Sequence, residues 1–588
     1  MSAAAAPAVA APTAPAAAAT AAGDPRLAAV QADLERLSAS KGAWARASLD
    51  ERIAILKEIR GRILDQLLPW CRATAGVRCT TRDGQVAGDV MSTAVGTAAY
   101  GRTVAAGRTF LAALCCWTRP ALSGNWPGCP LRARHPLQGW RERYLSLLGA
   151  SGCSVQLYLQ PGEEDSQGHF YREPHGGKLA AQVGAQPWLK SDHHLSLSDV
   201  LHMAIVEGCV VLLKYHPIMQ PVAPFIDYVL EPLARRGFYA SSTDPELAVT
   251  QHMLYSPLTD CVHMTGGTAT HDAIVWGGDP AEQARRRAAN DPLLKVPITS
   301  ELGCVTPWLV VPGLWSDKDV THHARALAEA LSSNCSCNCL APKVLLLAEG
   351  WPQADQFVAA VKKELAELPL PAPYYPGIRQ RYEAFRQAYP QAEAISSGRP
   401  ADPGAACGEP LPFLVNELPA FPDDPASEYA FNVPVRHAGP ASSLEEGFLQ
   451  EAVRAANEDL WGTLSCTLLV HPDTQAKYGA AVQEALDGLR YGCVTVNAWS
   501  AMGFVPMAGH WGAFAGDQTI ADVGSGIGGV HNVYLFDRPQ KAAVRAPFIC
   551  AAQPLPEKYA PMPLGLAKAI AGLMHSGPWG ALRMLMAR

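Results

Sequence analysis

Residues 298 to 304 read Ile-Thr-Ser-Glu-Leu-Gly-Cys, and residues 334 to 341 read Asn-Cys-Ser-Cys-Asn-Cys-Leu-Ala. Between these two segments lie an apolar run at residues 309–311, which predicts a buried strand, and a helical pattern from about residue 317 to 331. The stretch therefore places an acid, Glu301, just before a strand and a helix, and a cysteine, Cys339, just after them.

The same alternation is found toward the N-terminus. Residues 210–214 form a continuous apolar run that ends in Lys214, and residues 262–268 predict a strand that runs into Gly266, Gly267 and Thr268. Residues 224–235 between them predict a crossover helix. Strands alternating with helices indicate an α/β fold with a largely parallel sheet. Nucleotides bind at the carboxyl ends of such strands, where an ammonium group and backbone N–H groups can contact phosphate or ribose oxygens.

The order of these motifs resembles the aldehyde dehydrogenase superfamily, in particular a divergent, bacterial-type branch. That family carries Glu-Leu-Gly-Gly, then a helix, then Asn-x-Gly-x-x-Cys-x-Ala, and five residues on from Asn334 is Cys339. The resemblance implies a Rossmann-like cofactor domain followed by an α/β catalytic domain, with Cys339 as the nucleophile and Glu301 as the general base. It covers residues 200 to 540 well and the first 200 residues poorly.

The resemblance also implies a cofactor, NAD or NADP. Lys214 closes its strand as the family's cofactor-binding lysine does, and residues 265–268 are similar to the family's Thr-Gly-Ser-Thr turn, which makes Gly266, Gly267 and Thr268 cofactor-binding candidates. Residues 491–497 resemble its Gly-x-Val-x-Val-Asn strand. Glu428 is the candidate for the glutamate that holds a cofactor ribose. Pro217 replaces the acid expected three residues after the lysine, so the choice between NAD and NADP stays open.

The implied reaction is the oxidation of an aldehyde to a carboxylic acid. A cysteine thiolate attacks the carbonyl, the resulting thiohemiacetal passes a hydride to a nicotinamide, and Glu301 activates the water that hydrolyses the remaining thioester. Two alternatives stay open: a coenzyme A-linked acyl reductase, and a catalytically impaired nucleotide-binding scaffold of the same fold. The scaffold is favoured by Leu189, which stands where the family has an oxyanion-holding asparagine, although Gln186 could substitute for that asparagine.

The same residues allow plainer interpretations when the resemblance is set aside. Cys335, Cys337 and Cys339 alternate, and on a strand they would put three thiols on one face, where buried and inert cysteine is the common outcome. Their spacing is not typical of a closed zinc site. Residues 192–194, Asp-His-His, are more simply a solvated loop than a metal site, so we expect no metal.

The composition excludes several classes of protein. The chain has 588 residues, of which 48% are hydrophobic and 17% charged, so it can bury a large core in about two or three domains and is neither disordered nor collagen-like. A net charge of −6 without a basic stripe argues against nucleic-acid binding. No apolar run approaches the roughly 20 residues that a membrane span needs, so we expect a soluble protein.

We predict four regions: an Ala/Pro-rich disordered tail at residues 1–25, an N-terminal helical and NAD(P)-binding domain at 26–298, a catalytic domain at 299–500, and a segment at 501–588 that packs back on the body or forms a subunit contact. The 16 scattered cysteines favour reduced thiols, and we expect a cytoplasmic protein, or a plastid or mitochondrial one if the tail is a transit peptide. The resemblance implies a homo-oligomer that binds a small-molecule aldehyde.

Overall fold

The computed structural model describes residues 24–78, 86, 90, 152–162, 176–183, 195–368, 373–397, 410–417, 432–441, 443–504, 510–516, 518–531, 538–550 and 563–587. Within them the chain has a mixed α/β architecture, which confirms the predicted fold class. Its strands are β1 Ser154–Leu159, β2 Leu179–Val183, β3 Val210–Lys214, β4 Tyr239–Ser242, β5 Cys261–Thr265, β6 Ile298–Glu301, β7 Trp308–Val310, β8 Leu345–Glu349, β9 Glu393–Ile395, β10 Phe413–Glu417, β11 Asn432–Pro440, β12 Ser465–Leu469, β13 Cys493–Val496, β14 His510–Gly512, β15 Gly529–His531 and β16 Pro539–Arg545.

The helices alternate with these strands along much of the chain. They are α1 Pro25–Ala45, α2 Leu49–Val77, α3 Leu195–Leu201, α4 Ala223–Ala234, α5 Leu247–Leu254, α6 Thr268–Trp276, α7 Pro280–Ala289, α8 Asp317–Ser332, α9 Ala354–Glu367, α10 Ile378–Ala388, α11 Gln450–Arg454, α12 Pro472–Lys477, α13 Gly479–Gly488, α14 Ala501–Phe504 and α15 Leu564–Met586. Wider helical turns continue α3 over His202–Val206 and flank α11 at Leu444–Leu449 and Ala455–Asp459, and tight single turns lie at Pro217–Met219 and Ser333–Ser336.

The first sheet has five parallel strands in the order β4-β3-β2-β5-β6. The chain starts at β2 in the middle, adds β3 and β4 on one side, and then crosses to add β5 and β6 on the other side. This reversal separates the connections that leave the carboxyl ends of β2 and β5, and it produces the crevice in which open α/β sheets bind ligands. All five residues of β3 are buried, as its continuous apolar run predicts.

The second sheet has nine strands in the order β1-β16-β13-β12-β7-β8-β11-β10-β9. Its inner pairs are parallel, whereas β1 pairs antiparallel with β16 at one edge and β9 pairs antiparallel with β10 at the other. The chain passes from the first sheet to the second between β6 and β7, only six residues apart. Because that connection is so short, the end of β6 lies at the junction of the two sheets.

The segment α15 is folded back on itself, so that its two helical arms contact each other. A Cβ atom placed on Gly572 would lie 2.1 Å from the carbonyl oxygen of Gly580, and the side chain of Lys568 donates a hydrogen bond to the carbonyl oxygen of Ala587. In a straight helix these pairs would be more than ten ångströms apart. Pro578 lies between Gly572 and Gly580, and it cannot donate the usual helical hydrogen bond there.

This helical hairpin packs on α2. A small apolar cluster separate from the main core joins them, and it contains Leu64, Leu67, Leu68, Cys71, Ala75, Ala567, Ala571 and Met584 together with Val86 and Val90. The side chain of Arg583 forms an ion pair with Asp65 of α2 at the rim of the cluster. The domain boundaries predicted from the sequence stay a prediction.

One main hydrophobic core extends across both sheets and the helices α1 and α2. In the described part of the chain, no helix is both long and apolar enough to cross a membrane. The predicted strands at residues 210–214, 262–268 and 309–311 correspond to β3, β5 and β7, and the predicted helix at 317–331 corresponds to α8, so the strand and helix order read from the sequence is confirmed.

Candidate active site

A pocket lies where the carboxyl ends of β5 and β6 meet the turn after α8. The open space between its walls, counted together with solvent at the mouth, is about 310 Å³. Its lining is mostly apolar and contains two groups with acid–base or nucleophilic chemistry, Glu301 and Cys339. The lining residues are Leu195, Thr265, Gly266, Glu301, Leu302, Gly303, Cys339 and Phe504.

Glu301 is the last residue of β6, and its backbone is held from a distant part of the chain. The N–H of Ser300 donates to the carbonyl oxygen of Ile527 at 2.8 Å, and the N–H of Leu302 donates to the carbonyl oxygen of Ser525 at 2.8 Å. The segment before β15 therefore hydrogen-bonds the residues on both sides of Glu301. This fixes the direction of its side chain, which is 5% exposed.

The surroundings of the Glu301 carboxyl favour its neutral form. Burial raises its pKa from 4.5 to about 7, and the nearby Asp199 adds to the rise. The indole N–H of Trp511 opposes the rise by donating to Oε1 at 2.9 Å, and His263 and the Cys339 thiol also lower the pKa. Oε2 has no hydrogen-bond partner among the described residues. Glu301 thus gains and loses its proton near neutral pH.

Cys339 lies on an irregular turn that follows α8. Asn334, Cys335 and Ser336 all have positive φ values, 52°, 57° and 61°, in the left-handed region that non-glycine residues rarely adopt. The three alternating cysteines are therefore not on a strand, and the sequence-based interpretation that would put their thiols on one face is wrong. Ser336 stands where the family motif has glycine, the residue that takes this conformation most easily.

Hydrogen bonds from buried side chains hold this turn in place. Lys343 donates to the carbonyl oxygen and, at 2.9 Å, to the hydroxyl of Ser336. Asn338 clamps the turn by donating to the carbonyl oxygen of Ser333 at 3.0 Å and accepting from the N–H of Leu340 at 2.9 Å. These contacts offset the cost of the left-handed residues, about 1–2 kcal/mol each.

Hydrogen bonds also hold the backbone of Cys339 and of the residue that follows it. Thr306, between the two sheets, donates to the carbonyl oxygen of Cys339 at 2.9 Å, and the indole N–H of Trp499 donates to the carbonyl oxygen of Leu340 at 2.7 Å. The result is that Sγ of Cys339 lies 3.8 Å from Oε1 of Glu301, within hydrogen-bonding range for sulfur, although the two residues are 38 positions apart. The sulfur faces the pocket together with the acid.

The cofactor-binding candidates lie along the same edge of the first sheet. Lys214 ends β3, is 4% exposed, and donates to the carbonyl oxygen of Tyr215 at 2.8 Å. Burial lowers the pKa of its ammonium group. Gly266 lines the pocket, but its N–H already donates to the carbonyl oxygen of Glu301 at 3.0 Å, so that N–H is not free for a phosphate. The glycine therefore joins β5 to the end of β6.

Gly267 and Thr268 form the N-terminus of α6. Gly267 caps the helix without a side-chain hydrogen bond, and the buried hydroxyl of Thr268 has no partner in the described part of the chain. A nine-residue helix whose first turn meets the crevice presents donors to an anionic group. The donor set and the unpaired hydroxyl fit a dinucleotide at this edge.

Several sequence-predicted residues lie outside the described residues. They are Glu428, Leu189 with its neighbours 187 and 188, Gln186, and the Asp-His-His segment at 192–194. The Ala/Pro-rich tail up to residue 23 also lies outside them. Among the residues that the structure does describe, no group of three or more His, Cys, Asp or Glu side chains could hold a metal ion.

Trp511, Asp199 and His263 are site neighbours that sequence reasoning did not identify. Trp511 is 210 residues from Glu301, and no local pattern connects them. Asp199 carried a weak signal, because Leu195, Asp199 and His202 recur at helical spacing and an acid on such a face needs a partner. His263 alternates with Thr265 along β5, which places both on one face of the sheet.

The comparisons with known proteins identify the fold. No family model matches the sequence, and no curated protein matches it. The structure is similar to the NAD-dependent aldehyde dehydrogenase of Sinorhizobium meliloti, at 15% sequence identity and a TM-score of 0.57 over 88% of this chain and 87% of that one. It is also similar to aldehyde dehydrogenase C of Pseudomonas syringae, crystallised with NAD⁺ and octanal, at 15% identity and a TM-score of 0.56 over 89% of each chain. Lactaldehyde dehydrogenase of Escherichia coli matches at 15% identity and a TM-score of 0.53 over 89% of this chain and 91% of that one. The chain therefore has the aldehyde dehydrogenase fold.

Proposed function

We propose that the protein is an NAD(P)-dependent oxidoreductase that converts an aldehyde to a carboxylic acid through a thioester on Cys339. The observation that carries the proposal is the approach of Sγ of Cys339 to Oε1 of Glu301 at 3.8 Å inside an apolar pocket. A nucleophile and a base within reach of one another and of a common cavity are the arrangement that acyl chemistry requires. The fold likeness supports the proposal but does not assign these residues.

Cys339 acts first in this proposal. Its thiol proton passes to the neighbouring Glu301 carboxylate, and the resulting thiolate attacks the aldehyde carbon to form a C–S bond. The carbonyl oxygen becomes an oxyanion, which needs hydrogen-bond donors, and the backbone N–H of Cys339 is one candidate. When bound, NAD or NADP supplies the hydride acceptor that makes the step an oxidation. The thioester of the acid is then attached to Cys339.

Glu301 acts second, as the base for hydrolysis. Glu301 first releases the thiol proton to solvent. Because its pKa lies near 7, the carboxylate is then present at neutral pH and is basic enough to take a proton from water. The water oxygen bonds to the acyl carbon, the C–S bond breaks, and Cys339 leaves as a thiolate. The apolar lining from Leu195, Leu302 and Phe504 limits the access of other water to the reacting groups.

The residues proposed to hold the cofactor are Lys214, Gly266, Gly267 and Thr268. The ammonium of Lys214 and the first turn of α6 at Gly267 and Thr268 lie at the carboxyl edge of one parallel sheet, where anionic and hydroxyl groups of a dinucleotide would meet them. Gly266 has no side chain, so a bound molecule can approach its backbone at the wall of the pocket. Glu428 remains a candidate from the resemblance alone, and the choice between NAD and NADP stays open.

An acylating reaction with coenzyme A is the competing enzyme function. It would release the acyl group to a thiol and would not need a base for water. The carboxyl of Glu301 beside Cys339 favours hydrolysis over that transfer. The scaffold alternative, a nucleotide-binding protein without catalysis, is tested by the same experiment.

The test is the formation of reduced nicotinamide, followed by its absorbance, with a panel of aldehydes and with NAD⁺ and NADP⁺ in turn. We expect turnover in the wild type and its loss in Cys339→Ala. Cys337→Ala is the matched control, because Cys337 is an equally buried cysteine two residues away whose sulfur is near Arg381 instead of Glu301. Acceleration by added coenzyme A would favour the acyl reductase, and tight nucleotide binding without turnover by any variant would favour the scaffold.

The cellular compartment and the oligomeric state are also proposals, because the fold alone does not determine them. From the sequence we propose a cytoplasmic location, with plastid or mitochondrion as the alternative, and a homo-oligomer without a nucleic-acid partner. Fractionation and size-exclusion chromatography with light scattering test these points.

A further inference from the structure

A row of polar side chains runs along one face of the first sheet beneath the candidate active site. Thr265 of β5 is the register neighbour of Glu301 of β6, and His263 is the register neighbour of Thr299 two residues earlier. Because side chains alternate along a strand, these four residues point to the same face. The ring Nδ1 of His263 lies 2.8 Å from the hydroxyl of Thr299. Such a face would ordinarily be apolar in a buried parallel sheet.

Helix α3 covers this face with polar groups of its own. Asp199, 1% exposed, accepts a hydrogen bond from the hydroxyl of Thr265 at 2.9 Å, and its Oδ2 lies 3.8 Å from Nε2 of His263. His202 follows on the same helical face, with its ring centroid 6.4 Å from that of His263. Nε2 of His202 lies 3.5 Å from a carboxylate oxygen of Glu207, a residue that reaches the surface.

This set leads from the pocket to solvent. The order is Glu301 in the pocket, Thr265 beside it, Asp199 and His263 below, His202 next, and the partly exposed Glu207 at the end. Two buried atoms in the middle of the set, Oδ1 of Asp199 and Nε2 of His263, have no hydrogen-bond partner in the described part of the chain. Unpaired buried polar atoms are costly and rare, so their retention calls for a reason beyond stability.

We propose that Asp199 and His263 are a proton relay that carries away the proton which Glu301 takes from the hydrolytic water. The inference rests on the proposed function. It adds residues that act through Glu301 and do not touch the substrate, so they are positioning and relay residues. Their chemistry suits the role, because carboxylate and imidazole groups can each accept a proton from one neighbour and pass it to another.

The step balances as follows. Water loses one proton to Glu301 as its oxygen bonds to the acyl carbon, and the C–S bond breaks with its electron pair left on Cys339. The proton on Glu301 then passes to the Thr265 hydroxyl, which is hydrogen-bonded to Asp199, and from Asp199 to His263. It leaves through His202 and Glu207. In the proposal a bridging water completes two of these steps: from Glu301 to Thr265, which are register neighbours, and from His263 to His202, whose ring centroids are 6.4 Å apart. Glu301 is again a carboxylate and can serve the next cycle.

The test uses p-nitrophenyl acetate, which acylates a reactive cysteine without cofactor or aldehyde. The initial burst of p-nitrophenol measures acylation of Cys339, and the steady-state rate measures hydrolysis of the acyl-enzyme. The variants are Asp199→Asn, which keeps the shape of the side chain, and His263→Gln. Asp227→Asn is the matched control, because Asp227 is a carboxylate on helix α4 that accepts hydrogen bonds from Tyr215, Tyr239 and Ser241 and does not act on the pKa of Glu301.

We expect Asp199→Asn to keep the burst amplitude and to lower the steady-state rate about tenfold or more at neutral pH, within the range of lost acid–base assistance. The solvent deuterium isotope effect on that rate should increase. The pH profile of the steady-state rate distinguishes loss of the relay from the effect of the Asp199 charge on the pKa of Glu301. The charge of Asp199 helps to raise the pKa of Glu301, so its removal alone would move the rate rise to lower pH and speed hydrolysis at neutral pH.

An unchanged or faster steady state in Asp199→Asn, with the burst intact, overturns the relay and leaves the proposed function standing. If Asp199→Asn loses its burst through misfolding, His263→Gln decides in the same way. Absence of both the burst and aldehyde oxidation in the wild type overturns the proposed function, and the relay with it.

Discussion

At the scale of single residues, the buried environment of the Glu301 carboxyl helps catalysis but lowers the stability of the folded protein. Complete burial favours its neutral form, and one indole donor, Trp511, opposes that effect. A carboxyl group with an ordinary pKa would be a weak base at neutral pH, whereas one with a pKa near 7 is matched to proton transfer there. The raised pKa has a cost, because the folded protein is less stable when the buried carboxyl carries its charge.

We predict that Glu301→Gln stabilises the protein at high pH. The pKa of Glu301 is higher in the folded state, so the unfolded chain releases this proton first, and stability falls as pH rises from about 4.5 to about 7. A rise of this size corresponds to about 3 kcal/mol. The variant, which has no proton to lose, should gain up to that amount in unfolding free energy above pH 7 and little below pH 4.5.

Urea unfolding of both proteins across this pH range measures the difference. Glu349→Gln, at the exposed end of β8, is the control for simple loss of a carboxylate. A stability difference between wild type and Glu301→Gln that does not change with pH would contradict the prediction. Glu301→Gln should lower hydrolysis of the thioester by about 10²-fold or more, and it should also slow acylation of Cys339, because Glu301 takes the thiol proton in the first step.

Trp511→Phe should move the pH dependence of hydrolysis upward. The indole N–H lowers the pKa of Glu301, so its loss raises that pKa and a higher pH is needed to form the carboxylate. Steady-state hydrolysis of p-nitrophenyl acetate against pH measures the shift. Trp308→Phe is matched to it, since Trp308 is equally buried and its indole N–H has no partner among the described residues. An identical profile in both variants would contradict the assigned hydrogen bond.

At the scale of secondary-structure elements, two segments have conformations that their local sequence does not favour. The turn carrying Cys339 contains three consecutive non-glycine residues in the left-handed region. The C-terminal hairpin α15 brings its two arms together at Gly572 and Gly580, where the backbones touch. In both cases contacts with residues outside the segment offset the local cost: Lys343 bonds the turn, and Asp65 of α2 pairs with the hairpin.

Gly572→Ala should therefore open the hairpin, whereas Gly565→Ala should not. A methyl group at position 572 would overlap the carbonyl oxygen of Gly580, but a methyl group at position 565 has no atom within 4 Å. Alanine at position 565 should be neutral or stabilise by up to about 1 kcal/mol through its helix propensity. Hydrogen exchange of residues 563–587 measures the opening, and equal protection in the two variants would show that the arms do not pack as described.

At the scale of the whole molecule, the active-site pair is assembled from three parts of the chain. The first sheet contributes Glu301, the turn after α8 contributes Cys339, and the segment at residues 525–527 holds the backbone around Glu301. Gly526 has φ of 125°, and a Cβ atom there would lie 2.0 Å from the carbonyl oxygen of Ser300. Only glycine allows this close approach. The distance between Cys339 and Glu301 thus depends on the contact of Ser300 with Gly526, which is 226 positions later in the chain.

Gly526→Ala should displace the end of β6 and slow catalysis about 10²-fold, since small misplacements of reacting groups have effects of that order. Gly516→Ala is the matched control, because Gly516 has a similar φ of 134° but its nearest neighbour is 3.9 Å away. Both variants carry the cost of a positive φ, and only the first carries the collision. The ratio of their steady-state rates, with nucleotide binding as the check on folding, tests the contact. Equal rates would contradict it.

The sequence by itself determined the α/β class, the elements β3, α4, β5, β7 and α8 in their order along the chain, and Glu301 and Cys339 as candidates. The class and the elements follow from local patterns, because buried parallel strands are continuously apolar and amphipathic helices repeat every 3.6 residues. Glu301 and Cys339 became candidates through the resemblance of their motifs to a known family. The tertiary structure decided the rest: the 3.8 Å approach of sulfur to carboxyl, the indole donor, the buried Asp199 and His263 beside Glu301, and the left-handed turn in place of a strand. These features depend on which distant segments pack together. The packing energy comes from contacts between such segments, so it cannot be read from any short stretch of the sequence.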